Sequence, residues 1–94
     1  MYGTCARMVV KAENRERLHT LMKSQDYRSV PGFVASYALA ENNSDVTWVL
    51  AIFSDREAYE KNADDPAQHE RYMAYRELLE EEPEWHDGEI VQDA

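Results

Sequence analysis

Two neighbouring segments, residues 33–40 and 46–53, carry β-forming or small apolar side chains at almost every position. The polar run 41–45 (ENNSD) between them has the composition of a turn, so the two segments are predicted to form a hairpin. Side chains alternate between the two faces of a strand, so apolar residues at both odd and even positions require cover on both faces. A chain of 94 residues is too short to supply both covering layers. A second copy of the chain is the simplest cover for the remaining face.

Changes in hydrophobic periodicity place the other elements. In chain order, the sequence predicts a strand over 2–10, a helix over 13–25, strands over 33–40 and 46–53, helices over 54–62 and 66–80, and a strand over 89–92. Ser54, with Glu57 three positions later, predicts the first turn of the shorter helix. Asp65 followed by Pro66 is typical of a helix start, and the Asp-Gly pair at 87–88 predicts a turn before the last strand.

This order predicts an α+β ferredoxin-like plait, βαββααβ, in which a single domain spans residues 1–94. A four-stranded antiparallel sheet would carry its helices on one face. The other face would expose the apolar side chains of the hairpin. Two copies joined through that face would form a dimeric α+β barrel with a two-fold axis, so we expect a homodimer.

The charge of the chain limits its partners. The net charge is −9, and residues 55–94 carry fourteen acidic and four basic side chains. A surface of this charge repels phosphates and anionic lipid headgroups, so neither nucleic acid nor a membrane surface is an expected partner. The sequence also has no uncharged apolar run long enough for a membrane-spanning helix.

The single cysteine, Cys5, limits the cofactors, because one thiol forms neither an intrachain disulfide nor a cysteine-based zinc or iron-sulfur site. His19, His69 and His86 lack the spacing of metal ligands. We therefore expect no metal and no bound cofactor. No secretory segment is expected before Tyr2, so we also expect a cytoplasmic location.

Two segments are similar to parts of a known family. Residues 51–62 (AIFSDREAYEKN) match the end of its third strand and the following helix, and residues 87–91 (DGEIV) match its closing segment. With the predicted element order, the similarity extends over nearly the whole chain. The sequence thus resembles the antibiotic biosynthesis monooxygenase-like family of the dimeric α+β barrel superfamily. The resemblance implies the same plait and either cofactor-independent oxidation of aromatic quinols or anthrones or degradation of haem.

The haem-degrading branch of that family has three recognisable residues. These are an Asn on the first strand, a Trp on the helix after the third strand and a His ten positions later. This sequence has Asn62 and Tyr72 at the last two positions, and residues 2–10 contain no Asn. Haem is therefore not an expected cofactor. The similarity fits the quinol and anthrone branch better, in which the deprotonated substrate itself donates electrons to oxygen.

In that branch, the resemblance implies a pocket between the sheet and the helices, with Asn62 and Tyr72 at similar positions as catalytic candidates. Tyr37 and Trp48 of the hairpin are expected to complete the lining and bind substrate. His69 is the best candidate for proton transfer, because imidazole titrates near neutral pH. Each residue has an ordinary alternative: Asn62 is typical of a helix end, His69 of a surface, and the three aromatic residues of core or dimer packing.

The sequence therefore predicts a homodimer that binds a small apolar or aromatic molecule and oxidises a quinol or anthrone-like substrate without a cofactor. A noncatalytic ligand-binding or accessory dimer of the same fold is the alternative. A pocket lined by Asn62, His69 and Tyr72 favours the first interpretation, and a filled interior favours the second.

Overall fold

The computed structural model describes residues 1–93. Its elements are β1 (Tyr2–Val9), α1 (Arg15–Ser24), β2 (Phe33–Ala40), β3 (Val46–Phe53), α2 (Arg56–Ala63), α3 (Pro66–Arg76) and β4 (Glu84–Glu89). A short 3-10 helix, Ala12–Asn14, precedes α1. The order across the sheet is β2-β3-β1-β4, and neighbouring strands are antiparallel. The predicted α+β ferredoxin-like βαββααβ fold is therefore confirmed.

The hydrophobic core lies between the sheet and the helices. Ala6 and Met8 of β1 are buried in a cluster with Leu18 of α1 and Tyr75 of α3. Val49 of β3, the cross-strand partner of Ala6, packs against the same cluster. Because cross-strand partners share a face, this row identifies the helix-covered face of the sheet.

The opposite face, which we call the open face, presents apolar side chains to solvent. Cys5, Leu50 and Tyr37 lie side by side across β1, β3 and β2, and Trp48 and Leu39 pair in the adjacent row. Tyr37 is 63% exposed and Leu39 is 60% exposed. A continuous exposed apolar surface of this kind is typical of a site of association.

The last strand differs from its predicted position at 89–92. In the structure, β4 spans Glu84–Glu89 and pairs with β1 from the Arg7–Glu84 pair to the Tyr2–Glu89 pair. Asp87 and Gly88 therefore lie within the strand and not in a turn. Pairing with a central strand outweighs the local turn preference of an Asp-Gly pair, because strand preference depends strongly on context.

The helix ends also correct two details of the prediction. Asp55, and not Ser54, caps α2, since its carboxylate accepts a hydrogen bond from the backbone N–H of Ala58 at 2.8 Å. Helix α3 ends at Arg76 and not at 80. The chain after it returns to the sheet, where the Glu80 N–H donates to the backbone carbonyl of Val9 at 2.9 Å. Among residues 1–93, none of the helices has both the length and the apolar character needed to cross a membrane.

Candidate functional site

A groove of about 1250 Å³ lies between the helix-covered face of the sheet and the helices. Its sheet side carries small side chains, because Ser36, Ala38 and Ala51 stand where larger residues would fill the space. Asn62 lines the groove from α2, and His69 and Tyr72 line it from α3. The structure therefore brings the three catalytic candidates to one groove.

One row of aromatic rings borders this groove along the sheet and its adjoining segments. The ring centroids are 5.5 Å apart for Tyr27 and Phe33, 5.9 Å for Phe33 and Phe53, and 5.7 Å for Phe53 and Tyr59. These are ordinary distances for stacked or edge-to-face aromatic pairs. All four rings contribute to the groove lining.

A second aromatic row joins α3 to β4. The rings of His69 and Tyr72 are 6.4 Å apart, and those of Tyr72 and Trp85 are 6.1 Å apart. Trp85 is the cross-strand partner of Ala6, so it lies on the helix-covered face of the sheet. It lines the groove and is 46% exposed. The two rows offer apolar ring faces and edges, the surfaces against which a flat aromatic molecule packs best.

Asn62 lies in the last turn of α2 and is partly buried. Its backbone carbonyl accepts from the N–H of Asp65 at 3.1 Å, as expected of a residue near a helix end. Its side-chain amide forms no hydrogen bond to any of the residues that the structure describes. The amide can therefore donate to, or accept from, a molecule in the groove.

The Tyr72 hydroxyl is already engaged. It donates a hydrogen bond to the carboxylate of Glu82, which also forms an ion pair with Arg76 at 3.1 Å. Burial and this hydrogen bond raise the pKa of Tyr72, and the Tyr72 and Arg76 contacts lower the pKa of Glu82. Tyr72 therefore presents its ring to the groove, while its hydroxyl group is occupied in donating a hydrogen bond to Glu82.

His69 stands in the exposed part of α3, beside the ring of Tyr72. Within the described part of the chain, its imidazole forms no hydrogen bond. A ring nitrogen without a fixed partner is able to accept a proton from a bound molecule.

Tyr37 and Trp48 do not line the groove, contrary to the prediction that they complete its lining. Both lie on the open face, in the rows of Leu50 and Leu39 respectively. The indole N–H of Trp48 donates to the Glu41 carboxylate at 3.3 Å. Both parities of the hairpin are apolar, so the sequence did not show which set of side chains faces the helices.

The sequence analysis did not identify three polar residues that meet in the groove: Thr4, Tyr59 and Asp87. The Tyr59 hydroxyl donates to Oδ1 of Asp87 at 3.0 Å. Burial is the main cause that raises the pKa of Tyr59 to about 12; the nearby Thr4 hydroxyl opposes this change, and Asp87 adds to it. Thr4 and Asp87 are cross-strand partners in β1 and β4, a register that cannot be read from their spacing in the sequence.

A second polar contact that the sequence did not indicate joins Tyr27 to Tyr75. Their hydroxyl oxygens are 3.0 Å apart. The guanidinium of Arg71 lies 5.1 Å from the centre of the Tyr27 ring. These contacts connect the segment before β2 to α3 and so fix one boundary of the groove.

Charged residues elsewhere form pairs at the surface. Arg7 of β1 forms an ion pair with Glu81 at 3.6 Å. In residues 1–93, no three His, Cys, Asp or Glu side chains are grouped as a metal site would require.

Comparison with known proteins shows similarity in structure. No family model and no curated protein matches the sequence. A mutant of SnoaB, a cofactor-independent oxygenase from Streptomyces nogalater, is 21% identical with a TM-score of 0.81, covering 98% of this chain and 94% of its own. Rv0793 from Mycobacterium tuberculosis is 15% identical with a TM-score of 0.82, covering 99% and 97%.

A further solved structure, of an antibiotic biosynthesis monooxygenase, is 13% identical with a TM-score of 0.81 and covers 98% of this chain and 100% of its own. All three identities are low, so these structures establish the fold alone. The predicted resemblance to antibiotic biosynthesis monooxygenases is thereby confirmed at the level of the fold.

Proposed function

We propose that this chain is a homodimer that binds a flat aromatic molecule in the groove and oxygenates a quinol or anthrone-like substrate without a cofactor. The observation that carries this proposal is the groove itself. It is bordered by two aromatic rows and contains Asn62 and His69, both without hydrogen-bond partners among the described residues. An apolar site with a few polar groups is the usual form of a small-molecule site.

The chemistry needs little from the protein. Loss of a proton makes a quinol or anthrone electron-rich enough to react with oxygen directly. One atom of O2 then enters the substrate and the other leaves as water, with two substrate hydrogens. In this proposal, the Asn62 amide orients the substrate oxygen and His69 accepts its proton. The aromatic rows hold the ring system.

The noncatalytic alternative is favoured by one observation. The Tyr72 hydroxyl donates to Glu82 and is not free to donate to a substrate oxygen. A protein that only binds a ligand would need the rings of the groove and not this hydroxyl. Both functions share the groove, so turnover separates them and binding does not.

The proposed homodimer is supported by the open face. Tyr37 and Leu39 are more than half exposed there, and Leu50 lies between Tyr37 and Cys5. A second copy of the same face would cover these side chains around a two-fold axis. A cytoplasmic location remains a prediction from the sequence.

Oxygen consumption with quinols and anthrones tests the catalytic proposal. We expect turnover by the wild-type protein and a loss of about a hundredfold in Asn62→Ala and in His69→Ala, a typical cost of removing an orienting or proton-transfer group. Tyr72→Phe should cost less, because its hydroxyl is bound to Glu82.

The matched controls are Asn42→Ala in the hairpin turn and His86→Ala on the open face. Both should retain turnover. Equal turnover in Asn62→Ala, His69→Ala and the wild type would contradict this site. Binding without turnover of any substrate would favour the noncatalytic dimer.

A further inference from the structure

We propose that Asp87 is a specificity-determining residue of the groove, where its carboxylate accepts a hydrogen bond from a hydroxyl group of the ligand, and that Tyr59 is the positioning residue that orients it. This proposal rests on the proposed small-molecule site. It adds that the ligand carries a hydroxyl, and not an ether or a carboxylate, at the β4 end of the groove.

The position of the carboxylate is fixed from two sides. Asp87 is paired through the backbone with Thr4, on the helix-covered face of the sheet. The Tyr59 hydroxyl holds Oδ1 at 3.0 Å. The Tyr59 ring packs against the rings of Tyr2 and Phe53, with centroid distances of 5.3 Å and 5.7 Å. A carboxylate held in this way offers its other oxygen in a defined direction.

Two oxygens of this cluster have hydrogen-bonding capacity to spare. Within residues 1–93, Oδ2 of Asp87 accepts no hydrogen bond. The hydroxyl of Thr4 lies near that of Tyr59 but makes no hydrogen bond of ordinary geometry to any described residue, although Thr4 is only 5% exposed. A buried hydroxyl without a partner is unusual in a folded protein and is costly when it remains so. A donor-bearing ligand beside Asp87 is the kind of molecule that such a cluster accommodates.

The hydrogen bond between Tyr59 and Asp87 determines which ligand groups the site prefers. The Tyr59 hydroxyl is the donor to Oδ1 of Asp87. An ionised carboxylate accepts hydrogen bonds and donates none, so the free oxygen of Asp87 is an acceptor. It binds a hydroxyl, gains nothing from a methoxy group and repels a carboxylate.

Three probes that share one ring system test this preference: 2-hydroxyanthraquinone, 2-methoxyanthraquinone and anthraquinone-2-carboxylate. Their affinities can be measured from the fluorescence of Trp85 in a Trp48→Phe background, because Trp85 lines the groove and Trp48 does not. We expect the hydroxyl compound to bind about tenfold more tightly than the methoxy compound, as for a hydrogen bond to a charged group. The carboxylate should bind least.

Two variants separate the charge of Asp87 from its position. Asp87→Asn should bring the hydroxyl and methoxy affinities within about twofold and should strengthen binding of the carboxylate. Tyr59→Phe removes the bond to Oδ1 but leaves the charge. It should therefore lower the preference for the hydroxyl while the carboxylate still binds poorly. A purely structural role for Tyr59 would weaken all three probes equally.

Glu89→Gln is the matched control. Glu89 lies two residues further along β4, on the same face, and does not line the groove. The Glu89→Gln variant loses the same charge as Asp87→Asn and should keep the wild-type preference for the hydroxyl compound over the methoxy compound. An unchanged ratio of hydroxyl to methoxy affinity in Asp87→Asn would overturn this inference and leave the proposed function standing. No binding of any probe by the wild type would overturn the small-molecule site itself. Selective binding without turnover would support the inference and count against monooxygenation.

Discussion

Val49 and Leu50 are neighbours in β3, and their side chains lie on opposite faces of the sheet. Val49 packs against the hydrophobic core, whereas Leu50 lies on the open face between Cys5 and Tyr37. The same substitution at the two positions therefore tests two different surfaces. Because the two residues are consecutive in one strand but face opposite sides, each is a control for the other.

Leu50→Asp should dissociate the proposed homodimer and leave the monomer folded. A carboxylate at the centre of an apolar interface costs several kcal/mol, because it loses its water without gaining a partner. Val49→Asp should instead lower the free energy of unfolding by several kcal/mol, since it places the charge against the core. Sedimentation equilibrium measures the first effect, and thermal denaturation followed by circular dichroism measures the second.

The wild-type protein should sediment at about twice its monomer mass of 11.0 kDa. A wild-type monomer at micromolar concentration would contradict the homodimer. A Leu50→Asp protein that remains dimeric would show that the copies associate through another surface.

Gly32 is a position where glycine is required. Its φ is +77°, and a Cβ placed there would lie 2.4 Å from the Cβ of Ala58 in α2. Gly32→Ala should therefore lower the free energy of unfolding by about 3 kcal/mol, from the left-handed backbone and the steric overlap together. Urea denaturation measures this change.

Gly88 in β4 is the matched control, because among the described residues, apart from its two chain neighbours, no atom lies within 4 Å of the Cβ that Gly88→Ala would add. That variant should differ from the wild type by no more than about 0.5 kcal/mol. Equal destabilisation by the two substitutions would mean that the connection before β2 does not pack on α2 as described.

The fold could be predicted because its elements are marked locally. The ENNSD turn, the Asp65-Pro66 helix start and the change from strand to helix periodicity each depend only on neighbouring residues, and each agrees with the structure. The predicted position of β4 was wrong, because the true position depends on pairing with β1, in which Asp87 is opposite Thr4. A long-range register of this kind outweighs local turn preference.

The candidate site also has a part that local sequence could predict and a part that it could not. Asn62, His69 and Tyr72 share the groove because two consecutive helices cover the same face of the sheet. Tyr37 and Trp48 lie on the open face instead, in keeping with the dimer-packing alternative. Apolar residues at both parities give no sign of which parity the helices cover.

The Tyr27 and Tyr75 hydroxyls should stabilise the fold through their mutual hydrogen bond, whose oxygens are 3.0 Å apart. Tyr27→Phe and Tyr75→Phe should each lower the free energy of unfolding by about 1 kcal/mol, the usual net value of such a bond. The double variant should cost little more than either single variant, because both remove the same interaction. Additive losses in this double-mutant cycle would show that the hydroxyls do not interact in solution.

Tyr59 should make the stability of the protein depend on pH in alkaline solution. Burial raises its pKa from 10.0 to about 12, so the folded state holds the phenolic proton more tightly than the unfolded chain. Below pH 10 both states keep the proton, and this contribution to stability is complete. Between pH 10 and 12 the unfolded chain loses its proton first, so the free energy of unfolding falls as the pH rises.

Urea denaturation at intervals from pH 8 to pH 11.5 measures this dependence. Tyr59→Phe should be less stable than the wild type at pH 8, because it loses the bond to Asp87, but its stability should fall less steeply above pH 10. Burial also raises the pKa of Tyr75, so some dependence on pH remains in every variant that keeps Tyr75. Identical slopes for Tyr59→Phe and the wild type would mean that the Tyr59 hydroxyl is not buried beside Asp87, and would remove the geometric basis for an oriented carboxylate in the groove.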